Sequence, residues 1–381
     1  MTIASNETEL AAVVASASTP LTIQGGGTRG IRLQGDVLST TGLSGIELYE
    51  PGALTLVAAA GTRLSEIQTV LAGENQRLAF EPMDHRGLMG TGGEPTIGGI
   101  VAGNISGPRR IQVGACRDHL LGVRYVDGTG TVIKNGGRVM KNVTGYDLVK
   151  LMAGSWGTLG VLTQVSLKVL PQAETQATLK VRGCDAGRAV SAMSAALGSP
   201  FEVTGAAYEP TTAEASSTVM IRVEGFADSV AYRLGRLAGL LQQYGQIDGT
   251  ADAEESARIW QRVRDVEPFH GQSGNVWRLS VKPSDAPRIA ARLDADKLLF
   301  DWGGGLIWAL VPDGTDLRAR AGAMDGHATL VRADAEARSR LGMFHAQSAP
   351  LEAINAGLRA RFDPRGIFNQ GLMQGPQPVG S

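Results

Sequence analysis

Cysteine is nearly absent from this chain: Cys116 and Cys184 are the only two among 381 residues, in unrelated contexts and with no CxxC or Cys/His spacing. That rules against a disulfide framework and against a zinc or iron-sulfur centre built from this chain, and it fits a reducing compartment. The five histidines (His85, His119, His270, His327, His345) stand apart from one another, so no metal-ligand set is expected. Charge of one sign is also missing. With 36 basic against 37 acidic side chains, the electrostatic footprint of a nucleic-acid binder is absent. No stretch approaches the roughly 18 to 20 uncharged apolar residues of a membrane span. The first 20 residues lack a basic segment and carry Glu7 and Glu9 inside their apolar part, so a signal peptide is not expected.

Glycine is what the chain has in abundance, 51 residues, more than half of them before position 175. At 381 residues the chain exceeds the roughly 250 to 300 at which one core stops growing, and two domains are expected. Asn6 with Glu9 reads as a capping box opening a helix to Ala17. Strands are expected at Leu21 to Ile23, Leu54 to Ala60, Val123 to Asp127, Thr131 to Lys134 and Gly160 to Leu170, with helices at Leu64 to Ala72 and Tyr146 to Met152. Asp147 is expected to cap the second of these helices. After Pro171 the pattern changes. Ala-rich helical segments around 185 to 197 and 228 to 242 alternate with strands at Thr218 to Val223, Val276 to Val281 and Leu306 to Val311, an α+β pattern of a small antiparallel sheet backed by helices. No internal repeat stands out. The tail Gly375-Pro376-Gln377-Pro378 reads as disordered.

The run Gln24-Gly25-Gly26-Gly27-Thr28-Arg29-Gly30 follows a strand and offers consecutive backbone N–H groups with no side chains in the way, the arrangement a pyrophosphate needs. It is neither GxGxxG nor GxxxxGK[ST], which removes support from the Rossmann and P-loop readings. On its own the run is equally a flexible turn. Further glycine clusters follow: Thr96-Ile97-Gly98-Gly99, then Ala102-Gly103-Asn104 and Gly107, then Gly114-Ala115-Cys116-Arg117-Asp118, and Gly154-Ser155-Trp156-Gly157-Thr158-Leu159-Gly160 before Val161. Several glycine loops joined to strands suggest convergence on one extended ligand.

In these four segments, taken in order, residues 20 to 171 resemble the FAD domain of the vanillyl-alcohol oxidase, or PCMH-type, flavoprotein family. The resemblance implies a pyrophosphate on the first loop, ADP and flavin along the TIGG and GACRD segments, and a site closed by GSWGTLG. It implies cofactor contacts from Gln24 through Gly30, from Thr96, Ile97, Gly98, Gly99, Ala102, Gly103, Asn104, Gly107, Gly114, Arg117 and Asp118, from Thr158, Gly160 and Val161, and from Asn369. The match narrows at Gly107-Pro108-Arg109-Arg110, at Gly137-Arg138-Val139-Met140-Lys141-Asn142-Val143-Thr144-Gly145-Tyr146-Asp147-Leu148 and at Trp156, where the wider family commonly has Glu. It narrows further at Val276-Trp277-Arg278-Leu279-Ser280, Asp301-Trp302-Gly303-Gly304, Gly326-His327-Ala328-Thr329 and Phe362-Asp363-Pro364-Arg365-Gly366-Ile367-Phe368-Asn369. All of these are similar to the FAD-binding subunits of glycolate oxidase.

That resemblance implies a PCMH-type FAD-binding domain of two α+β subdomains over residues 1–172, a smaller α+β cap over 173–335, and a C-terminal segment, 336–381, returning to the first domain. Members with covalent FAD place His in the first loop and often Cys in the second. Thr28, and the lack of Cys between 91 and 107, imply FAD held noncovalently. The implied partners are a catalytic flavoprotein subunit and an iron-sulfur subunit, with glycolate as the small 2-hydroxy acid. The implied location is cytoplasmic, or peripheral at the inner membrane through the complex.

If this chain oxidises substrate itself, the chemistry needs a cation for the carboxylate and a base for the hydroxyl proton. Arg278 and His327 are the candidates, beside Trp277 and Trp302. A surface strand for Arg278 and a structural hydrogen bond for His327 are equally open. The rivals to the complex as a whole are a stand-alone oxidase of another 2-hydroxy acid and a flavin-free structural subunit. Arg109 and Arg110 read as partners of phosphate, as contacts to another subunit or as a solvated turn. Cys116 reads as an inert packed thiol.

Overall fold

A computed structural model describes residues 1–138 and 145–373. The middle of the Gly137 to Leu148 motif, 139–144, and the tail at 375–378 lie outside the described residues. The chain forms two compact units. One comprises 1–107, 114–172 and 347–373; the other comprises 108–113 and 173–346. Among the described residues no helix is long and apolar enough to cross a membrane.

The first unit carries a parallel three-stranded sheet in which Asp36–Ser39 lies between Thr2–Ile3 and Leu21–Gln24. It also carries a five-stranded antiparallel sheet in the order Ile46–Glu50, Thr55–Ala59, Val161–Lys168, Leu120–Val126, Val132–Gly136. Thr55–Ala59 is an interior strand, paired on both edges, and four of its five residues are buried, which is why its apolar run is unbroken. Helix Leu64–Gly73 turns Leu64, Ile67 and Leu71 inward at helical spacing, onto a core that includes Leu56, Phe80, Ile97 and Leu167. Asn6 caps helix Glu7–Ser16 through its side-chain oxygen, but the box is not reciprocal: the Glu9 carboxylate accepts from the N–H and hydroxyl of Ser5 instead. Asp147 accepts from the Lys150 N–H and caps Leu148–Met152, as expected.

The C-terminal helix Ala349–Phe362 packs Leu358 and Phe362 on the same core, and Leu21 pairs with Phe368 in an isolated parallel bridge. Arg365 then spends its guanidinium on main-chain carbonyls, those of Val14, Ala15 and Ala17 at the end of helix Glu7–Ser16 and that of Gly128. A cation on the unsatisfied carbonyls of a helix end is a favourable pairing.

The second unit is larger in its sheet than the sequence suggests. Eight antiparallel strands run in the order Gln246–Thr250, Thr175–Arg182, Thr218–Gly225, Gly205–Glu209, Lys297–Asp301, Leu306–Val311, Asn275–Val281, Gly326–Arg332. A repeat invisible in the sequence explains them. Thr175–Arg182, Ala186–Leu197, Gly205–Glu209, Thr218–Gly225, Ala227–Leu241 and Gln246–Thr250 form one βαββαβ unit with spatial order 4-1-3-2. Asn275–Val281, Ala286–Leu293, Lys297–Asp301, Leu306–Val311, Leu317–Ala321 and Gly326–Arg332 form a second, and the two join where Tyr208 pairs with Phe300. Their apolar faces merge into one core containing Val181, Leu237, Trp277, Leu279 and Ile307. Trp277, Leu279 and Val281 point to that core, so alternation sends Arg278 and Ser280 to the opposite face.

Replacing Arg365 with Ala leaves four carbonyls without their charged donor. The substitution is expected to cost about 2 kcal/mol, read as a lower denaturation midpoint in urea with the β-sheet circular dichroism of the folded state unchanged.

Candidate functional site

In the first unit the segment after strand Leu21–Gln24 is a loop whose backbone is short of acceptors. Among the described residues the N–H groups of Gly25, Gly26, Gly27, Thr28 and Arg29 donate to no protein acceptor, and the first to find one is Gly30, to the Gly27 carbonyl at 3.2 Å. The loop lies flat on the segment Thr91 to Thr96. The Thr91 hydroxyl donates to the Thr28 carbonyl at 2.6 Å, and a Cβ at Gly26 would fall 1.6 Å from the Glu94 carbonyl oxygen. Gly27 adds a left-handed φ of 71°. Successive N–H groups turned to one side form an anion-binding concavity.

Arg29 strengthens it. Its Nη2 donates to the Gly99 carbonyl at 2.8 Å and its guanidinium stacks on Trp156 at 4.8 Å, while Nη1 is shut off from solvent with no partner among the described residues. Burial with no facing carboxylate pulls its pKa down to about 10, so it stays charged at neutral pH. A buried cation with an unused donor calls for an anion.

The loop floors a cleft of about 1010 Å³ between protein atoms, counting its open mouth. Gln24 through Gly30 line it, as do Thr96, Gly98, Gly99, Ala102, Gly160 and Asn369. Thr96 accepts from the Gly99 N–H, while the Ile97 and Gly98 N–H groups go to the carbonyls of Thr62 and Ala60, so this second glycine cluster offers a flat wall rather than free donors. Asn369 is a staple. Its side-chain oxygen accepts from Ile23 at 2.8 Å and its amide donates to the Trp156 carbonyl at 2.7 Å, which leaves the side chain little to give a ligand.

The other expected residues do not line this cleft. Ile97 and Val161 are fully buried in cores. The Thr158 hydroxyl donates to the Ser155 carbonyl, the Gly107 N–H to that of Phe80, and the Arg117 N–H to the Asn104 side chain. Asp118 accepts from the Ala115 N–H and lies 3.6 Å from Lys150, with Gly114 in a left-handed turn beside it. Gly103 backs Arg29, since a Cβ there would meet Nη1 at 2.3 Å. Cys116 is fully buried and desolvation pushes its thiol up, in keeping with an inert residue.

Sequence reasoning missed Ile23, Ile31, Leu33, Met83, His85 and Leu372, which also line the cleft. Ile31 and Leu33 directly follow the glycine loop and could have been found. Met83 and His85 come from a segment with no local signature.

In the second unit Arg278 and His327 lie on adjacent strands, with Arg278 opposite Thr329 and His327 opposite Ser280. The Arg278 guanidinium makes no hydrogen bond or ion pair among the described residues, and it stacks on Trp302 at 5.0 Å. Burial, then Arg110, pull its pKa down to about 10 against the opposing pull of Asp301. His327 keeps contact with solvent, and its pKa lies below the ordinary 6.5 because of partial burial and the nearby Arg278, His345 and Arg110.

A model of the FAD binding domain family matches residues 2–136. Glycolate oxidase subunit GlcE of Escherichia coli strain K12 is 35% identical over 363 residues, 94% of this chain and 93% of that protein. The chain belongs to the GlcE family. Like other flavoproteins of that kind it is an FAD-dependent oxidoreductase, and its cofactor is FAD. This GlcE-family chain is also similar to glycolate oxidase subunit GlcD of Bacillus subtilis strain 168, at 43% over 84 residues, 22% of this chain and 18% of that one. To a D-lactate dehydrogenase of Archaeoglobus fulgidus it is 31% identical over 186 residues, 46% and 40% of the two chains. A solved alkyldihydroxyacetonephosphate synthase matches 96% of this chain and 76% of its own with a TM-score of 0.68 at 15% identity, which bears out the expected α+β PCMH-type fold.

Gly26→Ala forces the loop off the Glu94 carbonyl. The variant is expected to keep its circular dichroism and to purify with little or no flavin, read from visible absorbance per chain; full flavin content would show that the loop can give way.

Proposed function

We propose that this chain is the FAD-binding subunit of a glycolate dehydrogenase complex that oxidises glycolate to glyoxylate, alongside a second flavoprotein subunit and an iron-sulfur subunit that receives the electrons. The observation that carries this reading is the likeness to GlcE over nearly the full length of both chains. In it the chain is cytoplasmic, or peripheral at the inner membrane through its partners.

The free N–H groups of Gly25 through Arg29 and the orphaned Nη1 of Arg29 fit the pyrophosphate of FAD. Thr96, Gly98, Gly99, Ala102 and Gly160 would lie along the rest of the cofactor, with Asn369 and the segments at 103–107, 114–118 and 158–161 holding the wall in shape. With no His or Cys among residues 24–30 or 91–107, nothing in these loops offers a covalent link, and the FAD is held noncovalently. Bound FAD supplies a two-electron acceptor for the C–H bond of a 2-hydroxy acid.

The chain's own contribution to that chemistry is charge and a proton acceptor. Arg278, which makes no hydrogen bond or ion pair among the described residues, is suited to hold the carboxylate, since a guanidinium binds carboxylates through paired N–H donors. A neutral imidazole nitrogen of His327 is suited to take the hydroxyl proton. Its depressed pKa keeps the neutral form present to lower pH than an ordinary histidine would allow.

Two outcomes are expected. Co-purified with its neighbours, the complex should hold more than one flavin, contain iron and reduce dye with glycolate; a colourless chain that takes up no added FAD would overturn the reading. In the pH profile of kcat/KM, activity should fall as pH drops through a value below 6.5, because protonation removes the acceptor. In His327→Gln that acid limb should vanish along with most of the rate, whereas an unchanged limb assigns it to another group.

A further inference from the structure

The two βαββαβ repeats of the second unit each pair their first strand with their fourth, and they differ in what becomes of the face turned away from the core. In the first repeat Thr178 stands opposite Thr250 and Lys180 opposite Asp248. All four side chains are spent. Thr178 is bonded to the hydroxyl of Ser256 at 2.6 Å and accepts from the indole N–H of Trp260 at 3.0 Å, while Lys180 donates to Glu255 at 3.2 Å. The Thr250 hydroxyl accepts from the Asp252 N–H, and Asp248 accepts from Arg182. Three of these partners come from helix Ala253–Arg264, which lies on this face with Trp260 against Ala207 and Met220.

In the second repeat the equivalent square holds Arg278 opposite Thr329 and Ser280 opposite His327. Leu279, Ala328 and Leu330 belong to the core, so alternation places all four together on the other face. Here none is spent. Among the described residues the guanidinium of Arg278, the hydroxyls of Ser280 and Thr329 and the imidazole of His327 make no hydrogen bond. The helix that follows this repeat, Ala335–Leu341, turns Ala337 and Leu341 into the main core instead. Asp301, on the same face beyond Leu306, favours the charged guanidinium of Arg278 but forms no ion pair with it. Thr329 is only 8% exposed, so its hydroxyl has little water to fall back on.

Residues directly opposite on antiparallel strands have Cβ atoms roughly 5 Å apart, and residues two apart along one strand lie roughly 7 Å apart. The square therefore suits a molecule of a few heavy atoms. On the next strand Trp308 stands beside Arg278 and Leu306 beside Ser280, both buried, so that side is apolar.

We propose that Thr329 and Ser280 are specificity-determining residues of a site for a small 2-hydroxy carboxylate, each completing one row of the square. Thr329 donates to the carboxylate beside Arg278. Ser280 donates to the oxygen of the 2-hydroxyl group, leaving that group's own proton to His327. The inference rests on the reading of Arg278 and His327 as substrate-binding groups, and it adds how the site tells a 2-hydroxy acid from a plain carboxylic acid. A donor reserved for the 2-oxygen goes unpaired when a ligand lacks that oxygen, and such a site discriminates more strongly than an apolar pocket does.

The test is binding of glycolate, and of acetate, which lacks the 2-hydroxyl, to the full chain loaded with FAD. Reducing the flavin beforehand with dithionite, without oxygen, keeps glycolate from turning over, and calorimetry reads both ligands. Thr329→Val is expected to weaken glycolate and acetate alike by about tenfold, and Thr329→Ser to restore most of the loss. Ser280→Ala is expected to weaken glycolate about tenfold and to leave acetate unchanged, a split that loosening of the fold would not produce. Unchanged binding of both ligands in Thr329→Val and in Ser280→Ala, while Arg278→Met loses both, would overturn this inference alone. So would an equal loss of both ligands in Ser280→Ala. Unchanged binding in Arg278→Met, or no binding by the unaltered chain, would instead overturn the reading of Arg278 on which it rests.

Discussion

Five backbone N–H groups in a row, Gly25 through Arg29, have no acceptor among the described residues, and much of the first unit is arranged to keep them that way. A stretch of chain normally satisfies such donors by folding on itself, because an unmet donor that loses water costs about 1 to 3 kcal/mol. Here the collapse is blocked. Thr91 holds the Thr28 carbonyl, the Glu94 carbonyl presses against Gly26, and Asn369, brought in from the far end of the chain, ties strand Leu21–Gln24 to the turn at Trp156. The loop is therefore held open for an anion before any anion arrives, which lowers the ordering cost of binding.

The second glycine cluster follows a different logic from the first, although both look alike as sequence. Gly98 and Gly99 sit where helix Ile97–Ala102 meets strand Thr55–Ala59 and its continuation; a Cβ at Gly98 would lie 2.7 Å from Ala60. Their N–H groups are already used. Glycine in the loop supplies donors and a left-handed turn, while glycine in the helix supplies closeness, and only the first kind marks the anion.

What was legible in the sequence was whatever depends on neighbours along the chain. The Gln24 to Gly30 loop, the Asn6 and Asp147 caps and the buried strand at Thr55 to Ala59 all state their own geometry within a few residues. The repeat in the second unit was not legible, because a βαββαβ unit constrains the pattern of apolar positions and leaves the residue identities free. The same holds for contacts between distant positions. Arg29 on Trp156, Asn369 on Ile23 and Arg109 on Glu224 each join residues more than a hundred positions apart. Arg109 and Arg110 illustrate the limit well, since as sequence they form one basic turn and in the structure Arg109 pairs with Glu224 while Arg110 lies over Trp302.

The central claim is that the open loop and Arg29 recognise a pyrophosphate, so the most direct measurement compares ligands that carry one with a ligand that does not. Titrating the flavin-free chain with FAD, ADP and riboflavin by fluorescence and calorimetry separates the two ends of the cofactor. The account predicts that FAD binds tightly, that ADP competes with it, and that riboflavin, which has no phosphate, binds weaker than FAD by a factor of about 100 or more. Riboflavin binding as tightly as FAD, with ADP failing to compete, would contradict it.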